Sequence, residues 1–243
     1  MDATYEELAG MIDHAVLKPD QTLDDVKLGC ELSKAYGVAS ACVMSYAVKT
    51  AAEIFGDGKT VACCVIGFPF GYANTAGKVA EAVQACNDGA KELDMVCNIS
   101  AVKSACWHTV GEDIREVVAA GHDGGAKVKV IFETCYLTDD EKRRLCELCT
   151  EAKADWVKTS TGFGTGGAVD KDLILMRDHV GEGVQVKASG GIRDLDRLLR
   201  VREIGCTRAG ASATQALMDA AREKLGLEPI IFDGAAADAN KGY

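Results

Sequence analysis

Eight short segments, most of them nearly continuously apolar, recur along the chain, at residues 11–17, 38–44, 60–68, 92–98, 128–134, 155–160, 184–188 and 207–209. Runs of that kind suit strands buried on both faces of a parallel sheet. Amphipathic helical patterns fill the intervals, at 22–36, 48–55, 76–89, 110–121, 138–152, 170–179 and 194–204, and one more at 213–225 follows the last segment. Within 138–152, Leu145, Leu148 and Ala152 share one helix face, and Thr138 and Glu141 have the spacing of a capping box. The segments recur about every 28 residues, close to the length of a βαβ unit. Eight strands each followed by a helix predict an α/β protein, a single-domain (β/α)8 TIM barrel. The competing doubly wound open sheet would offer one switch-point crevice rather than a ring of strand ends. Composition stays even along the chain, so 1–231 is expected to be one barrel domain. Residues 232–243, rich in Ala, Asp and Gly, are expected to be a mobile tail.

Charge narrows the function classes. Lys and Arg number 27 against 37 Asp and Glu, a formal net charge of −10. That is the wrong sign for a broad nucleic-acid or anionic-membrane surface. A phosphate on a small substrate needs only a local cluster of donors, so that class stays open. No apolar run approaches the roughly 18 residues of a membrane helix, and residues 1–10 carry no signal-peptide pattern. The 11 cysteines, odd in number, read as reduced thiols of a cytoplasmic protein. Cys63 and Cys64 lie in an apolar strand and read as small core residues. Cys146 and Cys149 form a CxxC within a charged helix, with no second pair at zinc-like spacing. The four histidines, His14, His108, His122 and His179, make no ligand pair. No metal site is predicted.

A barrel builds its site at the C-terminal strand ends. Polar residues that interrupt the apolar strands there are Asp13, Cys42, Asp94, Glu133, Lys158 and Lys187. Lysines inside consecutive strands are the strongest signal, because a buried lysine is costly unless paired. One reading makes each a structural ion pair with Asp94 or Glu133. The other is catalytic. Residues on alternate strands share a layer, so neighbouring strands bring the two ammonium groups close at staggered heights. A lysine at its ordinary pKa near 10.4 is almost wholly protonated at pH 7. Burial and a second cation both lower that value, toward an amine able to form a Schiff base. Asp94 would then move protons, directly or through water. The hydroxyl-rich turn Thr159-Ser-Thr161 would supply donors for a carbinolamine oxygen.

Phosphate signals lie at the next strand ends. Gly190 and Gly191 follow the seventh strand and precede the helix near Asp194. Gly210 and Ser212 follow the eighth and open the last helix. Loops at those two places, with a helix N-terminus, recur as the phosphate site of this barrel. Arg193 adds a charged contact or an exposed salt bridge. Gly162-Phe-Gly-Thr-Gly-Gly167 fits GxGxxG literally, but the next strand carries Lys187 where a dinucleotide site wants an acid. It is read instead as a flexible loop covering substrate, with Thr161 and Gly162 facing the pocket.

These motifs together resemble the deoxyribose-phosphate aldolase family: Val157-Lys-Thr-Ser-Thr-Gly-Phe163, Val186-Lys-Ala-Ser-Gly-Gly-Ile-Arg193, Leu93-Asp-Met-Val96 and Ile66-Gly-Phe-Pro-Phe-Gly71. Ile12-Asp-His-Ala-Val-Leu-Lys-Pro19 and Phe132-Glu-Thr-Cys-Tyr-Leu-Thr138 agree, so the likeness runs from about Ile12 to Ser212. The resemblance implies a class I aldolase that reversibly cleaves 2-deoxy-D-ribose 5-phosphate to D-glyceraldehyde 3-phosphate and acetaldehyde, without metal or other cofactor. It implies Lys158 as the Schiff-base lysine, Lys187 as its electrostatic and proton-handling partner, Asp94 in the proton relay and Cys42 close to substrate. The chain departs from the family pattern at Ala15, where Thr is common. It departs again at Ala209, where a larger aliphatic is usual and a void near the phosphate loop is expected.

Two alternatives remain at this point. One is a Schiff-base barrel aldolase for another sugar phosphate; the other is a non-catalytic phosphosugar-binding barrel whose lysines only pair with carboxylates. Expected partners are a small phosphosugar and acetaldehyde, with no nucleic acid and no membrane, and a homo-oligomer taken as a dimer. Some members of the resembled family also end in Tyr, implicated there in proton transfer. Tyr243 is thus either a phenol delivered by a closing tail or part of a frayed terminus.

Overall fold

The computed structural model describes residues 2–232; the tail beyond, with Tyr243, lies outside the described residues. Eight strands form a closed barrel in sequence order, each parallel to the next and β8 parallel to β1. They are β1 (Ile12–Ala15), β2 (Ser40–Val43), β3 (Val61–Ile66), β4 (Glu92–Val96), β5 (Lys127–Ile131), β6 (Trp156–Lys158), β7 (Gln185–Ser189) and β8 (Arg208–Ala211). All eight predicted segments hold a strand, and most of the strands are shorter than their segments. The helices are α1 (Tyr5–Ala9), α2 (Leu23–Tyr36), α3 (Val48–Phe55), α4 (Thr75–Asn87), α5 (Ile99–Lys103), α6 (Trp107–Asp123), α7 (Asp139–Glu151), α8 (Asp170–His179), α9 (Leu195–Ile204) and α10 (Thr214–Leu225). The short α1 and α5 have too few residues to show a helical period, and the sequence reading missed both.

Local signals explain the helix starts. Thr138 accepts from the Glu141 backbone N–H while Glu141 reaches back to Thr138, the predicted capping box. Thr4 with Glu7 and Thr22 with Asp25 repeat the device at α1 and α2. Cys146 and Cys149 are both buried in α7 and pack in the main core. Among the described residues no helix is long and apolar enough to cross a membrane.

Alternation along each strand divides its side chains between two environments. Outward residues such as Leu93, Met95, Val128, Val130, Val157 and Val186 join buried helix residues in one continuous core between barrel and helices. Ile230 and Phe232 pack against that core, so the chain is anchored up to the last described residue. Inward residues are of a different kind. Asp13, Glu92, Asp94, Lys129, Lys158 and Lys187 are all buried. Towards the mouth, Leu17, Cys42, Cys63 and Val65 form a small apolar cluster of their own, with Phe68 and Phe163 packed against it.

Candidate active site

Asp94 is the centre of a buried ion network. Lys129 donates to its Oδ1 at 2.8 Å; Lys158 and Lys187 donate to its Oδ2 at 2.6 and 2.7 Å. The two lysines are direct register partners on β6 and β7. Lys187 also donates to Asp13 at 2.5 Å. Arg208 donates to Asp13 at 2.5 Å and to the two Glu92 oxygens at 2.9 and 2.6 Å. Lys129 completes the ring with Glu92 at 2.7 Å and Asp13 at 3.6 Å. Trp156 lies beneath, with Arg208 and Lys129 at 5.0 and 5.6 Å from its ring centre.

The charges do not cancel. Four cations (Lys129, Lys158, Lys187, Arg208) meet three carboxylates (Asp13, Glu92, Asp94), so 4 − 3 leaves one cation in excess. Burial alone would favour neutral groups, but the partners prevail. Burial opposes the charge of Lys187, and Asp13 with Asp94 outweighs it, holding its ammonium above the ordinary value. Burial likewise opposes ionised Asp94, and Lys129, Lys158 and Lys187 outweigh it, so the carboxyl lies well below the usual range. This corrects the expectation that two lysines simply lower one another: the carboxylate between them fixes Lys187 as a cation. Lys158 has a single carboxylate in this network, Asp94, and is the cation with the fewest ties.

A cavity of about 360 Å³ opens above this network at the C-terminal strand ends. Asp13, Cys42, Lys158 and Lys187 form its floor. Thr161 and Gly162 reach it from the β6 loop, Gly190, Gly191 and Arg193 from the β7 loop, and Gly210 and Ser212 from β8 and the residue after it. Asp94 is absent from the wall: it lies fully buried behind the lysines that it joins. Asp13 lines the wall, yet its oxygens are taken by Lys187, Arg208 and the Ser40 hydroxyl, the last at 2.8 Å. Residues 164–168 line the cavity as well, which supports reading the glycine run as a cover. Gly167 packs on Gly190 so closely that a Cβ on it would stand 2.6 Å from the Gly190 carbonyl oxygen.

Several local expectations are corrected. The hydroxyls of Thr159 and Thr161 are engaged within the protein. Thr159 Oγ1 donates to the Ser189 carbonyl and accepts from its N–H, both at 3.0 Å, and the Thr161 hydroxyl donates to Glu133. Ser160 Oγ is buried with no hydrogen-bond partner among the described residues and is not part of the cavity wall. Glu133 holds the β6 loop rather than a lysine; burial pushes its carboxyl up, against Thr161 and Lys158. The N-terminus of α9 is occupied, because the Asp194 carboxylate accepts from the Arg197 N–H at 2.8 Å. That of α10 has no side-chain cap, so the donors beside Ser212 are the available ones. Ala209 is fully buried in the outer core and leaves the cavity wall to Gly210, Ala211 and Ser212.

Sequence reading missed Lys129, Glu92, Arg208 and Ser40. Lys129 was detectable, since it interrupts Lys127-Val-Lys-Val-Ile131 as Lys158 and Lys187 interrupt their strands. Ser189 was also missed: its buried hydroxyl lines the cavity and has no hydrogen-bond partner among the described residues.

A closed parallel barrel with three lysines on one carboxylate, two of them on a single oxygen under a cavity edged by glycines, defines an enzyme of amine and carbonyl chemistry. Comparison narrows the class. The DeoC/LacD family aldolase model matches residues 9–222, and the chain belongs to that family. It is 53% identical to a deoxyribose-phosphate aldolase of Rhodopirellula baltica, over 100% of this chain and 99% of that protein. It is 49% identical to the one from Aciduliprofundum boonei, covering 90% and 98%. The tetrameric deoxyribose phosphate aldolase of Aeropyrum pernix superposes with a TM-score of 0.84 at 29% identity, covering 91% of this chain and 93% of that one.

Proposed function

We infer that this protein is a Schiff-base aldolase that reversibly cleaves 2-deoxy-D-ribose 5-phosphate to D-glyceraldehyde 3-phosphate and acetaldehyde. The observation that carries this reading is the shared oxygen of Asp94, 2.6 Å from Lys158 and 2.7 Å from Lys187, buried behind these two lysines at the floor of the cavity. A purely structural pair would need one lysine and a balanced charge. Here one cation is in excess, and Lys158 is the one held by a single carboxylate of the network. Asp94 Oδ2, 2.6 Å from Lys158 Nζ, is placed to relay a proton from it, while Lys187 stays cationic.

The neutral Lys158 Nζ attacks the aldehyde carbon of the open-chain sugar. Loss of water gives an iminium, whose positive charge draws the electrons of the C2–C3 bond. The C3 hydroxyl gives its proton to a water in the cavity, its oxygen forms the C3 carbonyl as the C2–C3 bond breaks into the enamine, and D-glyceraldehyde 3-phosphate leaves. The enamine on Lys158 takes a proton at C2, and hydrolysis releases acetaldehyde. Lys187, held cationic, keeps negative charge on Asp94 from trapping the Lys158 proton. The iminium serves as the electron sink that a metal serves elsewhere, so the route needs no metal. Gly190, Gly191, Gly210, Ser212 and the open N-terminus of α10 suit the phosphate, with Arg193 beside them. Cys42 and Ala15 also line the cavity.

We propose further that the protein works as a homo-oligomer, a dimer in the first instance, in the reducing cytoplasm that eleven free cysteines suit. Its net charge of −10 argues against nucleic-acid and membrane partners. Product analysis tests the reaction. Acetaldehyde and D-glyceraldehyde 3-phosphate are expected from deoxyribose 5-phosphate. Cleavage of fructose phosphates in their place would overturn the substrate assignment.

A further inference from the structure

Cys42 and Cys63 are direct register partners on β2 and β3, and both belong to the apolar cluster inside the mouth of the barrel. Their sulfurs and an Asp94 oxygen lie within 4.8 Å of one another. Hydrogen-bonded strands run about 4.8 Å apart, inside the roughly 4.4–6.8 Å between Cα atoms that a disulfide spans. The sulfurs can therefore meet without a change of strand register.

The trio offers metal-ligand atom types, but its surroundings refuse a cation. Asp94 already holds three ammonium groups, and Cys63 Sγ accepts from Lys129 Nζ at 3.5 Å. Such a setting favours a thiolate. The hydrogen bond with Cys63 leads in lowering the Cys42 thiol below its ordinary value; burial and Asp94 oppose, and Lys158 and Lys187 assist. Burial pushes the Cys63 thiol well above its ordinary value. Cys42 lines the cavity, while Cys63 is fully buried behind it. A reachable nucleophile thus has a protonated thiol at its back.

We propose that Cys42 and Cys63 form a reversible disulfide when a small peroxide enters the cavity, and that the link switches off the site beside Lys158. The Cys42 thiolate attacks one oxygen of hydrogen peroxide; the S–O bond forms, the O–O bond breaks, and the departing hydroxide is protonated by solvent. The Cys63 thiol then attacks the Cys42 sulfenic sulfur. The S–S bond forms, the S–O bond breaks, and the leaving hydroxide takes the Cys63 proton as water. Both sulfurs are oxidised and the peroxide oxygens are reduced to water. Linking withdraws Cys63 from Lys129 and from Asp94, to which it donates at 3.2 Å. The link itself is independent of the proposed reaction; only its effect on turnover rests on that reading.

Full-length protein is treated with hydrogen peroxide, alkylated in denaturant and digested with trypsin. Peptides 35–49 and 60–78 should appear joined. Because 60–78 holds both Cys63 and Cys64, the link should persist in Cys64→Ser and vanish in Cys63→Ser. If Cys63→Ser does not fold, fragmentation of the joined wild-type peptides identifies the partner sulfur. Cleavage of deoxyribose 5-phosphate should fall in proportion to the linked fraction and return with dithiothreitol. In Cys63→Ser the loss should become irreversible as Cys42 passes to the sulfinic acid. An absence of joined peptides, or a link through Cys64, overturns the pairing. A linked protein of undiminished activity overturns the switch. If deoxyribose 5-phosphate is not a substrate, the peptide map still decides the pairing.

Discussion

Lys187 donates to both Asp13 and Asp94, at 2.5 and 2.7 Å, while Lys158 meets Asp94 alone. On that asymmetry Lys187 is proposed as the fixed charge and Lys158 as the reacting amine. Lys187→Leu removes the fixed cation and leaves Asp94 freer to hold the Lys158 proton. The rate profile should move to higher pH, with turnover at pH 7 down by roughly a hundredfold. A normal rate with an unmoved profile would remove this role. His14 makes a different prediction. It points outward from β1 to the Thr214 hydroxyl at 2.9 Å, and burial lowers its pKa from 6.5 to about 4. The unfolded chain therefore binds a proton below pH 6.5 that the folded chain refuses until about pH 4. Stability is lost as pH falls through that window, by roughly 3 kcal/mol. Urea unfolding of His14→Asn should show a flatter slope between those pH values, and an identical slope would exclude His14 as the source.

The start of α10 is the most exacting element near the cavity, because its first N–H groups lack a side-chain cap while α9 is capped by Asp194. Ser212→Asp puts a carboxylate there. At an effective dielectric near 20, two charges 4 Å apart interact by about 4 kcal/mol. KM for deoxyribose 5-phosphate should rise by two to three orders of magnitude, to that order only, with deoxyribose itself spared. Equal damage to both sugars would move the phosphate elsewhere. At this scale the sequence was readable where period and burial agree. Short, mostly apolar runs alternating with helical patterns marked the strands, and Thr138 with Glu141 marked the start of α7. It was less readable where side chains cross between distant elements. Lys78 sits in an ordinary amphipathic helix, yet it is fully buried and donates to Asp113 of α6 at 2.5 Å and to the Val96 carbonyl at 2.9 Å. Arg208 precedes the glycine that lines the cavity, and only barrel closure brings it to Glu92 of β4. Such pairs depend on three-dimensional register, which no local pattern encodes.

As a whole molecule, the barrel sets the polar network at its axis and leaves the core to the space between sheet and helices. Self-association is tested by sedimentation: a dimer of the 25.6 kDa chain is expected, and a monomer at working concentration would contradict it. The central claim is that this network delivers one neutral amine, on Lys158, to an aldehyde in the cavity. The most direct measurement is to incubate the intact protein with acetaldehyde, reduce with borohydride and map the ethyl adduct by peptide mass. A single adduct on Lys158 is predicted, lost in Lys158→Arg because a guanidinium stays protonated at working pH. An adduct on Lys187 or Lys129, or none at all in active protein, would contradict the account.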